Sequence, residues 1–264
     1  MEVSSDRPYA MITGGSKGIG YAIAKALAKR NYNLVLIGRN MDDLLIAKNK
    51  LQSECNTKVE ILNYDLTDNQ IANKIASWCL ERNFKLTFLC NVAGIGGSQD
   101  FLSASLEQMQ FMIRLNIEST MAVTMLLLPL LKANQPSYIL NVSSLAGFSP
   151  LPIKNMYAAT KSAVIFFSYA LRYQLKKENI SVSCLCPGPV YTRPDIKQET
   201  LNRLGWFGSA MAVDPEKVGE VAIKKTLQRK LIIVPGALAS VMAFLLRVLP
   251  KRIVCYIYYT FGTK

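Results

Sequence analysis

Short apolar runs alternate with longer amphipathic stretches along nearly the whole chain. The runs fall at Tyr9–Thr13, Asn33–Gly38, Lys58–Asn63, Leu86–Asn91, Ser137–Ser143, Ser181–Cys186 and Leu231–Val234. Several are almost continuously apolar, the pattern of parallel strands covered on both faces. Stretches with helical periodicity fill most gaps, among them Gly18–Arg30, Asn69–Glu81 and Asn155–Lys177. A further helix is expected to start at Asp214 as N-cap, with Pro215 at its first position. This rhythm predicts one doubly wound α/β sheet. With no linker, repeat or low-complexity tract, residues 1–234 read as one domain and 235–264 as an apolar, basic extension.

Two segments depart from the rhythm. Arg193–Val213 carries Trp206, Phe207 and Met211, and its place after a strand's carboxyl end reads as a substrate lid. Leu231–Leu246 is an uncharged run of 16 residues, too short for a membrane span and interrupted by Pro235-Gly236. It predicts a last strand, then a helix Ala237–Leu249, a break at Pro250 and an aromatic segment Ile253–Phe261. Arg247, Lys251 and Arg252 flank this apolar material. The tail therefore packs on its own domain or a second subunit, or it lies at a membrane surface.

Composition narrows the chemistry. A chain of 264 residues at 50% hydrophobic can bury a sizeable core, and its net charge of +13 favours anionic partners. No basic run or recognition motif points to nucleic acid. There is no histidine, and Cys55, Cys79, Cys90, Cys184, Cys186 and Cys255 include no CxxC pair. Structural zinc and a histidine triad are thereby disfavoured, and no metal is expected. Reduced cysteines and an amino terminus without a basic or apolar leader suit a cytoplasmic protein, with peripheral membrane contact as an option of the tail.

After the first strand comes Thr13-Gly14-Gly15-Ser16-Lys17-Gly18-Ile19-Gly20. A glycine-rich turn between a strand and a helix presents backbone N–H groups and the positive helix end to a pyrophosphate. Gly14, Ser16, Lys17, Gly18, Ile19 and Gly20 are thus candidate dinucleotide contacts. The second strand ends Ile37-Gly38-Arg39-Asn40 without an acid, so a ribose 2′-hydroxyl has no carboxylate there. Arg39 and Lys17 can instead clamp a 2′-phosphate, which favours NADP(H) over NAD(H). Asp65, followed by Leu66, either bonds the adenine amino group or caps the next helix.

Three Tyr-x-x-x-Lys pairs occur, Tyr21/Lys25, Tyr157/Lys161 and Tyr173/Lys177, each on one helix face if helical. The first lies behind the phosphate loop. The third has a hydroxyl, Thr160, only on its own helix, about 20 Å away. Tyr157/Lys161 has Ser144 at a strand's carboxyl end, where open α/β sheets bind ligands. A free tyrosine titrates near pH 10 and needs its anion stabilised, which a neighbouring ammonium does. Tyr157 is then the acid/base for a carbonyl or alcohol, Lys161 its electrostatic partner, and Ser144 the hydrogen-bonding group for the reacting oxygen.

On Thr13–Gly20, Asn91-Val92-Ala93-Gly94, Asn116, Asn141-Val142-Ser143-Ser144, Tyr157–Lys161 and Pro187-Gly188, the chain resembles the short-chain dehydrogenase/reductase family from about Tyr9 to Val234. The resemblance implies strand order 3-2-1-4-5-6-7 and a catalytic tetrad of Asn116, Ser144, Tyr157 and Lys161. It gives Asn116 a helix kink and a proton-relaying water, and Lys161 the nicotinamide ribose. It places Asn91, Ala93, Gly94, Pro187, Gly188, Val190 and Thr192 around the cofactor, with Thr192 at the carboxamide. Val92 departs from the family's NNAG, which puts the second asparagine's role in doubt. The expected activity is NADPH-dependent reduction of a ketone, with a lipophilic substrate if the tail meets lipid. The alternatives are a 3-oxoacyl thioester reductase and a non-catalytic NADP-binding regulator or scaffold. The substrate pocket is expected from Ile95–Phe101, Leu145–Asn155 and the lid, and the assembly is expected to be a homodimer or homotetramer.

Overall fold

The computed structural model describes residues 7–96, 101–191 and 212–261. Seven parallel strands form one sheet: β1 (Tyr9–Thr13), β2 (Asn33–Gly38), β3 (Val59–Asn63), β4 (Leu86–Asn91), β5 (Ser137–Val142), β6 (Ile180–Leu185) and β7 (Ile232–Ile233). Their order is β3-β2-β1-β4-β5-β6-β7, as expected. The switch between β1 and β4, in register through Thr13 and Asn91, opens the crevice where such sheets bind ligands. β7 is shorter than the sequence pattern suggested, because only Ile232 and Ile233 pair with Cys184 and Leu185 of β6.

Side-chain alternation divides the core between the two faces of the sheet. Ala10, Ile12, Leu34 and Leu36 point toward α1 (Gly18–Ala28), α2 (Met41–Cys55) and α7 (Pro215–Leu227). Tyr9, Met11, Val35 and Ile37 point toward α3 (Ile71–Glu81), α5 (Ser119–Ala133) and α6 (Asn155–Gln174). Burial on both faces is why these strands carry so few polar residues. Asp214 caps α7 as expected, its Oδ1 accepting from the Glu216 N–H at 2.8 Å with Pro215 next.

Asp65 and Asp68 delay the start of α3 to Ile71. The Asp65 carboxylate accepts from the Thr67 N–H at 2.9 Å and Asp68 from the Gln70 N–H at 2.9 Å, so each caps a turn. Asp65 is therefore not the N-cap of α3, a position held by Gln70. Before α5, α4 (Leu106–Ile113) opens on a reciprocal Ser105/Gln108 cap and runs into a π-helical turn, Arg114–Glu118. By length and composition Leu106–Ala133 could cross a membrane. Here Val123, Leu127 and Leu131 are buried in the core of the sheet's second face.

The tail folds as α8 (Ala237–Val248) and α9 (Lys251–Phe261). Ala239, Ala243, Leu246 and Val254 are buried against Leu145, Phe148, Val164 and Ile165 of the chain's own domain. Packing on the domain thus accounts for one face. Val241, Phe244, Val248, Tyr256 and Tyr259 remain exposed on the other.

Candidate active site

The glycine turn is held from both sides. Gly14 and Gly15 donate to the Ile37 carbonyl of β2, at 2.8 and 3.3 Å. The buried Thr13 hydroxyl accepts from the N–H groups of Val92 and Ala93 at 3.0 and 3.1 Å, tying the ends of β1 and β4 together. Gly14 has a left-handed φ of 65°, and a Cβ on Gly20 would collide with the Gly14 carbonyl. The first turn of α1 carries neither a side-chain cap nor an acidic residue. A close-wound glycine turn beneath an uncapped helix start suits a dinucleotide pyrophosphate, with Gly14, Ser16, Gly18, Ile19 and Gly20 in reach.

Beyond this turn the charges are already partnered. Lys17 lies 2.8 Å from an Asp43 carboxylate oxygen, and Arg39 lies 4.0 Å from Asp65 and 5.5 Å over the Phe111 ring. Both lysine and arginine are largely exposed, so these pairs are weak and free to exchange for a phosphate. Leu66 is buried in the core. Asn91 is buried too, its amide donating to Thr124 and Asn141 at 2.9 and 2.8 Å. That amide nitrogen supports the sheet, while the Oδ1 is buried without a partner among the described residues. Val92 packs on the hydrophobic core, consistent with the loss of a polar role at that position.

The catalytic groups meet at the carboxyl end of β5. Tyr157 and Lys161 share one face of α6, the ammonium 5.9 Å from the ring centroid and donating to the Val142 carbonyl at 3.0 Å. Ser144 accepts from the Ala146 N–H at 3.2 Å, and its hydroxyl lies near enough to the tyrosine to act on its titration. Ser143 instead is buried and donates to the Lys161 carbonyl at 2.7 Å, a structural bond that leaves Ser144 as the candidate for the reacting oxygen. Asn116 sits in the π-helical turn, the local widening expected of a kinked helix. Its side chain is clamped on Ile95 and donates to Thr160 at 3.0 Å.

Burial governs the titration of the pair. Burial of its hydroxyl pushes Tyr157 up from 10.0, against the lowering effect of the Ser144 hydroxyl. The expected depression by Lys161 is not among the causes of the shift. Lys161 is itself driven down to about 8 by burial, the Cys184 and Cys186 thiols opposing. The other two Tyr/Lys pairs are excluded by their surroundings: Lys25 is bound to Glu54 and Glu216, and Tyr173 is exposed.

Three contributions escaped sequence reading, although Gly94 itself was expected around the cofactor. Thr160 couples Asn116 to α6, since its hydroxyl donates to the Tyr157 carbonyl at 2.9 Å. Gly94 leaves room where a Cβ would lie 2.9 Å from the Asn116 Oδ1 and 3.2 Å from the Lys161 ammonium. Tyr258 of α9 joins Ala146, Leu151 and Ala158 in an apolar cluster against Tyr157. Only Thr160 had a signal, its place beside the lysine. Pro187 accepts from the Leu145 N–H at 3.0 Å, and the buried Val190 bridges Val213, which holds Pro187–Val190 near the site. Thr192 and most of the expected lid lie outside the described residues.

Residues 8–202 match the family model for short chain dehydrogenases. The mouse very-long-chain 3-oxoacyl-CoA reductase is 32% identical over 202 residues, covering 74% of this chain and 64% of that enzyme. Among solved structures, a 7β-hydroxysteroid dehydrogenase superposes with a TM-score of 0.86 over 96% of both chains at 17% identity, a likeness of fold. A short-chain dehydrogenase from Sphingobium yanoikuyae in complex with NADPH gives 0.77 at 25% identity, over 92% of this chain and 96% of that one.

Proposed function

The chain belongs to the short-chain dehydrogenase family, and from that premise we propose that it is an NADPH-dependent reductase of a ketone on a lipophilic substrate. The observation that carries this reading is the convergence of Tyr157, Ser144 and Lys161 at the end of β5, beside an uncapped glycine turn at the end of β1. A dinucleotide held by its pyrophosphate at that turn would supply the hydride from its nicotinamide. Tyr157 donates the proton to the carbonyl oxygen, and Ser144 holds that oxygen by hydrogen bonding. Lys161 stabilises the tyrosinate left behind and binds the nicotinamide ribose. The upward shift of Tyr157 keeps it protonated at neutral pH, which suits the reducing direction.

Lys17 and Arg39 supply the preference for a 2′-phosphate. The apolar wall that Leu151 and Tyr258 build beside Tyr157 supports a lipophilic substrate. A second reading, reduction of a 3-oxoacyl thioester, is favoured by the likeness to the mouse enzyme and by the net charge of +13.

The test is consumption of NADPH and NADH by the purified protein across ketones, steroids, quinones and 3-oxoacyl thioesters, with Tyr157→Phe alongside. Turnover of NADPH that the variant lowers by about 10²–10⁴ supports the reading. NADPH binding without turnover on the whole panel would sink it and leave a regulatory protein. Thioester turnover that falls steeply with salt, beside salt-indifferent ketone turnover, selects the second reading.

A further inference from the structure

A cavity of about 630 Å³ opens between α6, the Gly147–Pro152 loop and the tail helices. Its size is that of sites for small organic ligands, roughly 300–1,000 Å³. Phe148, Leu151, Ile165, Phe166 and Tyr169 make its walls largely apolar. Ser144, Tyr157 and Lys161 do not line it, so it is separate from the catalytic groups, although Gly147–Pro152 and Asn155 of the expected substrate pocket form part of its wall.

Three polar groups gather in this apolar setting. The Arg247 guanidinium is stacked over the Phe148 ring at 4.2 Å. The Lys251 ammonium donates to the carbonyls of Phe148 and Leu246 at 2.9 and 2.7 Å, and a lysine has a third proton to give. Neither cation pairs with an acid among the described residues. The third group is Ser149, which lines the cavity, is 6% exposed and has a hydroxyl without a hydrogen-bond partner among the described residues. A buried hydroxyl left unbonded is rare in folded proteins and calls for a partner.

We propose that this cavity is a second binding site, for a single-chain amphiphile with a carboxylate or phosphate head. The head accepts from Arg247, Lys251 and Ser149, and the chain lies on the apolar wall along α6. Two cations select the sign of the head group, and among the described residues no acid lines the cavity to repel it. The ligand ties the tail to the Gly147–Pro152 loop that also borders Tyr157, so it fixes the tail against the catalytic domain.

Cys255 lines the same cavity and is half-exposed, its thiol 3.9 Å from the Pro150 carbonyl. Half-exposed Cys55, on α2, serves as internal reference. The experiment measures alkylation of both cysteines in the full chain by peptide mass spectrometry, with decanoate, decyl phosphate, decyl maltoside or decyltrimethylammonium below their micelle concentrations. Decanoate, decyl phosphate or both are expected to slow Cys255 about tenfold at saturation while leaving Cys55 alone; comparing the two tells which head the site takes. Equal protection by the neutral or cationic head, or no protection at all, overturns the proposal.

Arg247→Gln and Lys251→Gln keep a donor but remove the charge, and each is expected to weaken the protection about tenfold. Ser149→Ala weakens it less and does not disturb the tail, so it checks the site if either glutamine variant alkylates faster without amphiphile. Wild-type protection in all three variants contradicts the assignment. So does protection that grows with protein concentration alone, which would mean that a second copy covers the cavity. Protection by anionic vesicles but not by the free amphiphiles would make a bilayer the occupant and likewise reject the proposal.

Discussion

Asn116 and Ile95 exchange two hydrogen bonds: the asparagine Oδ1 accepts from the Ile95 N–H at 2.9 Å, and its Nδ2 donates to the Ile95 carbonyl at 2.9 Å. This clamp fixes the chain after β4 between Gly94, which abuts Lys161, and Gly96, which faces the Tyr157 ring. The π-helical turn sets Asn116 at the height needed to reach it. Truncation to Asn116→Ala releases the segment and also unpairs Thr160. Turnover is expected to fall about 10²-fold, as for a misplacement of roughly 1 Å, while cofactor affinity changes much less. Steady-state kinetics beside a cofactor titration separates the two effects; equal losses in both would show that the clamp serves cofactor binding instead.

Lys161 makes stability depend on pH in a definite direction. Its pKa is lowered from 10.5 to about 8 by burial, so between these values the unfolded chain holds the proton that the folded chain has released. Stability therefore rises with pH through that window. The gain is on the order of 3 kcal/mol, fully present only above the unfolded value. Unfolding free energies of the wild type and Lys161→Met from denaturant titration, compared at pH 7 and pH 10, should move relative to each other by most of that amount in favour of the wild type. Activity goes the opposite way, falling above about pH 8 as the ammonium beside Tyr157 is lost. A parallel pH profile in the two proteins would refute the assignment.

In the proposed function Lys17 and Arg39 each trade a surface acid for the 2′-phosphate. Replacing both with serine is expected to weaken NADPH by about 10–100-fold and NADH hardly at all, a charged hydrogen bond being worth roughly 1.5–3 kcal/mol. Cofactor titrations by fluorescence give the ratio. An unchanged preference would remove these residues from the site.

Gly219 lets α7 lie directly on α1. A Cβ there would sit 2.6 Å from the backbone carbon and oxygen of Ala22, atoms that cannot swing aside. Gly219→Ala should cost about 1–3 kcal/mol by overpacking, read as a lower denaturant midpoint with an unchanged slope. A wild-type midpoint would mean that the two helices separate freely.

Local pattern carried the strands and the phosphate turn. β1, β2 and β4 have the bounds read from their apolar runs, because burial on both faces leaves no polar position to blur an end. Asp214 and Pro215 announced α7 because a helix start is satisfied by its own first residues. Bounds slipped where a side-chain cap or a neighbour intervened. Asp65 and Asp68 turn the chain ahead of α3, and β7 stops where β6 ceases to pair with it.

The sequence by itself determined the chemistry available: one glycine turn after a strand, one tyrosine–lysine pair with a serine at a strand end, and no histidine to compete with them. Those features depend on spacings within a few residues or on the presence of a residue type. Tertiary structure decided how the groups behave. Thr13 bonds Val92 and Ala93, Asn116 bonds Ile95, and Tyr258 packs from the tail on the Ala146, Leu151 and Ala158 cluster that Tyr157 also meets, across separations that no periodicity encodes. It also reversed the balance on Tyr157, because desolvation is a property of everything packed around a hydroxyl and not of the lysine one turn away.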